Sequence, residues 1–257
     1  MIKKTLKYAA IALIWLLIWQ VGAMIAGEEL LLPSPLSVIV RLAELCLTAD
    51  FYITIATSLS RILLGMAAGI AIGALGGILT ALVPLARDFV SPLLAVVKST
   101  PVASFIVLFV LWISRDATPL IIASMMVIPV VWTNVETGIL DTDKSLLEMA
   151  RVYKMSATKK IGQIYLPSLS PYFFAALRSS LGMSWKAGIA AEVLLLPLIS
   201  IGKMISDSKQ ALETVDLFAW TVVVVILSII IEKLMVALLR KATEKHLNIS
   251  KGGVRPG

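Results

Sequence analysis

Long apolar runs, broken by short polar segments, dominate the pattern of this chain. A helix needs about 20 largely apolar residues to cross a bilayer, and several runs reach that length. The pattern predicts an all-α, polytopic membrane protein with about six transmembrane helices. The first run covers about residues 8–27; Glu28, Glu29 and Leu32-Pro-Ser-Pro35 end it, since proline cannot continue a helix. Residues 36–49 read as an amphipathic interfacial helix with Arg41 and Glu44 on its polar side. A second span covers about 56–83. Its Gly65, Gly69, Gly73 and Gly77 recur every four residues, which puts them on one face and predicts close packing against a neighbouring helix.

Residues 89–113 are less regular. Ser91-Pro92 and Thr100-Pro101 interrupt them, and residues 102–113 alone are too short for a span. A broken or tilted third span is expected, with 89–100 returning toward or along the cytoplasmic surface. The fourth span covers about 118–137, kinked at Pro129. A polar loop follows over about 138–166. The fifth span covers about 172–198 and the sixth about 215–238, before a basic cytoplasmic tail at 239–257. With no internal repeat in view, residues 1–257 read as a single transmembrane domain.

Composition narrows the class. Hydrophobic residues make up 59% of the 257 positions and charged residues only 15%, which no ordinary soluble domain matches. The net charge of +7 therefore does not point to nucleic acid. It fits the excess of Lys and Arg on cytoplasmic loops. Lys3, Lys4, Lys7, Arg87, Lys98, the bases of 144–160 and those of the tail fall on one side; Arg41, Arg61, Arg115, Lys203 and Lys209 fall on the other. Both termini and the 138–166 loop are expected inside. Met1-Ile-Lys-Lys4 opens like a signal peptide, but the run behind it has full span length and no small-x-small cleavage site follows, so an uncleaved first span is expected. One cysteine, Cys46, excludes an internal disulfide, and with one histidine, His246, no zinc or haem cluster can be drawn.

The polar loop carries the most specific signal. Residues 145–154 fit an amphipathic helix with Leu146, Leu147, Ala150 and Tyr153 on the apolar side and Glu148, Arg151 and Lys154 free to meet water or a partner. Ser156 can cap a second short helix through its hydroxyl. Leu166-Pro167 is expected to stop that helix and turn the chain back into the bilayer.

Glu148-x-Ala150, Ser156 and Ile164-x-Leu166-Pro167 resemble the EAA loop of binding-protein-dependent ABC-importer permeases. Gly138 ahead of the loop, Pro171 behind it, Gly182-Met-Ser-Trp185 and Ala191-Glu192 extend the resemblance to the nitrate/sulfonate/taurine branch. The resemblance implies a coupling helix between spans four and five that docks on a separate cytoplasmic ATPase. It places Glu148, Ala150 and Arg151 at that contact, with Lys154, Ser156, Leu166 and Pro167 shaping the loop. It also implies a second permease copy forming a homodimer, an ATPase dimer that holds ATP and Mg, an extracytoplasmic substrate-binding protein, and a place in the bacterial inner membrane. This chain has Met149 and Lys154 where such permeases usually have Ala and Gly. Either the turn after the coupling helix has changed, or Lys154 pairs with an acidic residue of the ATPase.

Charges inside a bilayer are costly unless they face protein or water. Arg178, Lys186 and Glu192 lie along the fifth span, and with Ser184 they are candidates for a translocation path. Lys186 there would suit an anion. The competing expectation pairs Lys186 with Glu192, Glu136 or a second subunit. Ser180, Ser184 and Gly188, four apart, suit a packed interface. No phosphate-binding Gly-x4-Gly-Lys-Ser/Thr loop and no nucleophile–base pair occurs, so the chain is read as a transport subunit without catalytic residue, metal or cofactor of its own. Nitrate, sulfonates, taurine and pyrimidine vitamin precursors all fit the resemblance as cargo. The alternative class is an ion-gradient-driven secondary transporter or channel using Glu136, Lys186 and Glu192; a structural scaffold gives no reason for the loop.

Overall fold

A computed structural model describes the backbone of residues 2–251 and the side chains of residues 6–8 and 10–237. The side chains of the basic tail, including His246, and residues 252–257 lie outside the described residues. All regular elements among the described residues are helical: α1 Ile2–Ala26, α2 Pro35–Leu45, α3 Ala49–Leu82, α4 Pro84–Ser99, α5 Val102–Phe109, α6 Thr118–Leu140, α7 Lys144–Val152, α8 Ala157–Lys160, a π-helical turn Ile161–Tyr165, α9 Leu166–Leu195, α10 Ile201–Gln210 and α11 Thr214–Lys251.

Four stretches are long and apolar enough to cross a membrane: Leu6–Ala26, Ala49–Leu82, Thr118–Leu140 and Thr214–Ala237. The pair α4–α5 meets the same measure with a bend of 100° between its halves. The break falls at Thr100-Pro101, as the prolines predict. Pro92, expected to interrupt as well, sits inside α4 without ending it. Its missing N–H forfeits one helical bond, and the rest of the ladder persists. The fifth expected span is α9, 30 residues long. Its Arg178, Lys186 and Glu192 make it less apolar than the others. The helix α10 was not expected at all; Ser200 caps it by accepting from the Lys203 N–H at 3.1 Å.

By contact the chain groups into two units whose boundaries fall inside α3, α9 and α11. The first unit comprises residues up to 59 and 192–227. Its buried apolar residues include Val38, Phe51, Ile201, Ala219, Trp220 and Val223. Phe51 and Trp220 rings lie 5.3 Å apart. Trp19 on α1 donates to the Pro33 carbonyl at 3.0 Å and meets Phe218 at 5.9 Å. The amphipathic α2 begins at its Ser34 cap, and Arg41 pairs with both Glu44 and Asp216.

The second unit comprises residues 60–191 and those from 228 onward. Its core is the seam between α3 and α6. A Cβ placed on Gly69 would stand 2.6 Å from the Ser124 carbonyl oxygen, one on Gly73 2.8 Å from that of Ile128, and one on Gly77 2.5 Å from that of Trp132. Gly65 lies tighter still, against the Leu120 carbonyl oxygen. The two backbones touch along more than three helical turns, and only residues without a side chain allow it. Ser124 closes the seam by donating to the Gly65 carbonyl at 2.7 Å. Gly69→Ala is expected to destabilise the protein by about 1–3 kcal/mol, because backbone cannot yield as a side-chain tip can. Gly182→Ala, where an added Cβ meets nothing within 4 Å, is expected to raise stability by about 0.5–1 kcal/mol, because alanine loses less backbone freedom in a helix. Thermal unfolding of both variants in detergent micelles checks the contrast.

Candidate functional site

The loop that joins α6 to α9 is built from its base outward. Gly138, near the end of α6, lies against Leu169 and Tyr172 of α9, where a Cβ would come within 2.9 Å of the Leu169 side chain. Tyr172 donates its hydroxyl to Asp141 at 2.9 Å. Thr142 is buried and bonds back to the Gly138 carbonyl. The chain then enters α7 through Asp143, whose carboxylate accepts from the Ser145 N–H at 2.8 Å. The Ser145 hydroxyl, and then its N–H, hold the Asp143 carboxyl below its ordinary pKa. This is an N-cap, and the acid also suits the positive end of the helix.

Glu148, Arg151 and Lys154 are exposed, as their positions on the polar side predict. The other side divides between a buried and an exposed part. Ala150, placed at the ATPase contact by resemblance, is 0% exposed. Its small size serves packing within the chain, together with buried Ile164. Tyr153, grouped with the apolar side, is 76% exposed, and Val152 is 77% exposed. The outward face of the loop therefore carries Met149, Val152 and Tyr153 among its charges.

Lys154 bears on the first of the two alternatives its departure raised. Its φ is +48°, the left-handed region that glycine usually occupies. The Lys154 N–H bonds to the Arg151 carbonyl at 3.1 Å and the Met155 N–H to that of Ala150 at 2.9 Å. These are the two bonds of a Schellman ending. The turn is thus retained with a lysine in it. Ser156 stands at the N-cap position of α8, but its hydroxyl makes no capping bond. Contrary to expectation, Leu166-Pro167 does not stop the helix. The π-helical turn shifts the hydrogen-bond register, the Leu166 N–H reaches the Ile161 carbonyl, and Pro167 enters the first turn of α9. Lys154→Gly relieves the left-handed cost of about 1–2 kcal/mol, partly offset by the freedom of glycine in the unfolded chain. The net gain at this helix end is expected near 1 kcal/mol, read as roughly five-fold slower hydrogen exchange at the Met155 amide.

The charges of α9 separate onto different faces. Arg178 and Lys186 are exposed, while Ser184 and Glu192 are buried. The structure does not bring these four candidates together. Glu192 is 0% exposed and accepts from the Ser58 hydroxyl at 2.8 Å and the Gly202 N–H at 3.3 Å. Ser58 accepts in turn from the Ile201 N–H at 2.9 Å. The carboxylate thus sits at the N-terminus of α10, where backbone N–H groups and the helix dipole favour it. Lys186 makes no hydrogen bond or ion pair among the described residues. Glu136 pairs with Arg87 at 2.7 Å instead. Ser180 and Ser184 are buried with hydroxyls that find no partner among the described residues, and Gly188 packs on Ile62. Glu192→Ala would strand the Ser58 hydroxyl and the Gly202 N–H. A loss of about 2–3 kcal/mol is expected, measured as a lower midpoint of thermal unfolding in micelles.

A second polar cluster was missed in the sequence. Thr80 donates to Glu136 at 2.9 Å and accepts from the Trp132 indole at 3.0 Å, and Arg87 donates to the Thr80 carbonyl at 3.1 Å. Of these residues the sequence pattern marks only Glu136 as a candidate, since an ionisable residue in a span signals a site.

The family of binding-protein-dependent transport system inner membrane components matches residues 65–246. The chain belongs to this family. It is 30% identical over 209 residues to a putative aliphatic sulfonates transport permease protein of Bacillus subtilis, covering 80% of this chain and 75% of that protein. It is 25% identical over 249 residues to a taurine transport system permease protein of Escherichia coli, covering 94% and 90%. Its fold is similar to that of the MetNI methionine ABC transporter in inward-facing conformations, with a TM-score of 0.61, 16% identity, and coverage of 73% of this chain and 93% of that one. The protein is a multi-pass membrane subunit of an ABC importer, devoted to transport rather than catalysis. No group of His, Cys, Asp and Glu able to hold a metal is found among the described residues.

Proposed function

We propose that two copies of this chain form the membrane path of an importer for a small oxyanion of the sulfonate or nitrate type. A soluble receptor delivers the anion outside, and a separate ATPase dimer drives the cycle from the cytoplasm. The observation that carries the reading is α7: a short capped helix, outward-facing, whose loop is tied at its base to both α6 and α9. A helix held this way passes displacement to two long spans at once. Met149, Val152 and Tyr153 offer apolar surface for a partner groove, and Glu148, Arg151 and Lys154 offer charge around it. Ala150 acts from within, letting α7 lie close to its own chain. The sulfonate and taurine transport named for the two permease relatives supports an anionic cargo, and exposed Lys186 on α9 supports it further. The termini and the α7 loop face the cytoplasm in this reading, in line with the excess of basic residues there.

In proteoliposomes with the ATPase and receptor, uptake is expected only with ATP. Replacing Glu148 and Arg151 together by alanine is expected to lower uptake at least ten-fold while ATP turnover and membrane insertion persist. Full uptake by the variant, or uptake driven by an ion gradient without ATP, counts against the coupling role.

A further inference from the structure

The polar cluster around Arg87 borders a cavity of about 320 Å³ between the end of α3, α4 and the second half of α6. Its lining includes Arg87, Ser91, Lys98, Trp132, Thr133 and Glu136. We propose that this cavity is a binding site for a small oxyanion, with Lys98 and Arg87 as its cationic groups. The proposal deepens the importer reading above and rests on it for the class of cargo.

The charge count inside the cavity favours an anion. Glu136 is the one acid of the lining, and both its oxygens are committed: Oε1 lies 2.7 Å from Arg87 Nε, and Oε2 accepts from the Thr80 hydroxyl. Arg87 and Lys98 leave one positive charge in excess. The contacts of Arg87 use Nε and Nη2. Both N–H groups of Nη1 lie outside them, and a guanidinium fork suits a planar or tetrahedral oxyanion. Lys98 has no acidic partner among the described residues. Its Nζ approaches the Thr133 hydroxyl oxygen at 3.5 Å. A lysine in the last turn of a helix is favoured by the macrodipole, and Lys98 stands there on α4. That preference does not require the side chain to reach across to α6, as this one does. Thr133 donates its own proton to the Pro129 carbonyl at 2.8 Å, so its oxygen is left to accept. The volume is at the small end of ligand pockets, about 300 Å³ and upward, which suits a compact anion with some water. The site lies before the 100° break between α4 and α5. In the orientation proposed above it belongs to the cytoplasmic half of the subunit, where it would hold cargo ahead of release.

Trp132 supplies a reporter, because its indole borders the cavity. The full chain in phosphatidylcholine nanodiscs, free of net-anionic lipid, is titrated with sodium methanesulfonate at constant ionic strength against sodium gluconate. A saturable fluorescence change is expected, absent in Trp132→Phe and absent with choline gluconate. Lys98→Gln is expected to raise the half-saturating concentration at least ten-fold, and Lys98→Arg to restore it. No saturable Trp132-dependent change in the wild type overturns the site, as does saturation of Lys98→Gln at the wild-type concentration. A response that choline gluconate reproduces also overturns it. ATP-driven uptake in the reconstituted complex is scored separately. Intact uptake without the Trp132 response removes this site and leaves the importer reading standing; a Lys98-dependent response without ATP-driven uptake supports the site and fails the importer reading.

Discussion

The close approach of α3 and α6 sets the position of much else in the second unit. In lipid no hydrophobic force holds two apolar helices together, so packing distance and hydrogen bonds must do so. Gly65, Gly69, Gly73 and Gly77 let the backbones meet. Gly76 extends the effect, because the Trp132 ring fills the space its side chain would take. From there the indole reaches Thr80, Thr80 reaches Glu136, and Glu136 reaches Arg87. A row of absent side chains thus fixes the register of a polar cluster one turn further on.

The α7 loop shows a comparable division of labour. Its inner surface is sealed by Ala150 and Ile164, while its base is tied through Gly138, Asp141 and Tyr172. The Schellman ending at Lys154 and the π-helical turn give the chain its path into α9 without an open loop. Such a segment has few ways to deform under load. A single turn of π-helix costs regularity, and here it leads the chain into α9 just ahead of Pro167.

Charge in the spans is handled by two different physical means. Glu192 is enclosed and satisfied by a hydroxyl and the N-terminus of α10. Arg178 and Lys186 stay on the exposed face of α9, where water, lipid headgroups or a second copy can meet them. The four residues grouped as path candidates along the fifth span therefore divide into two enclosed and two open positions. Spacing along one helix tells which residues share a face, but not which face is covered.

The sequence alone determined the class of protein, the approximate spans, the break at Thr100-Pro101, the glycine face of α3 and the family resemblance of the 148–167 loop. Those features are written in hydrophobic length, in proline and in short local spacings, which act over a few residues. Tertiary structure alone decided that Ala150 faces inward, that Lys154 holds a left-handed turn and that Leu166-Pro167 continues into a helix. It also decided that Glu192 rests on α10, an element closed at its end by Leu212 in a left-handed conformation rather than by glycine. The cluster of Thr80, Arg87, Trp132 and Glu136 joins residues more than 50 positions apart. Such contacts depend on how backbones approach in space, and the local pattern that specifies a helix does not specify the neighbour it will meet.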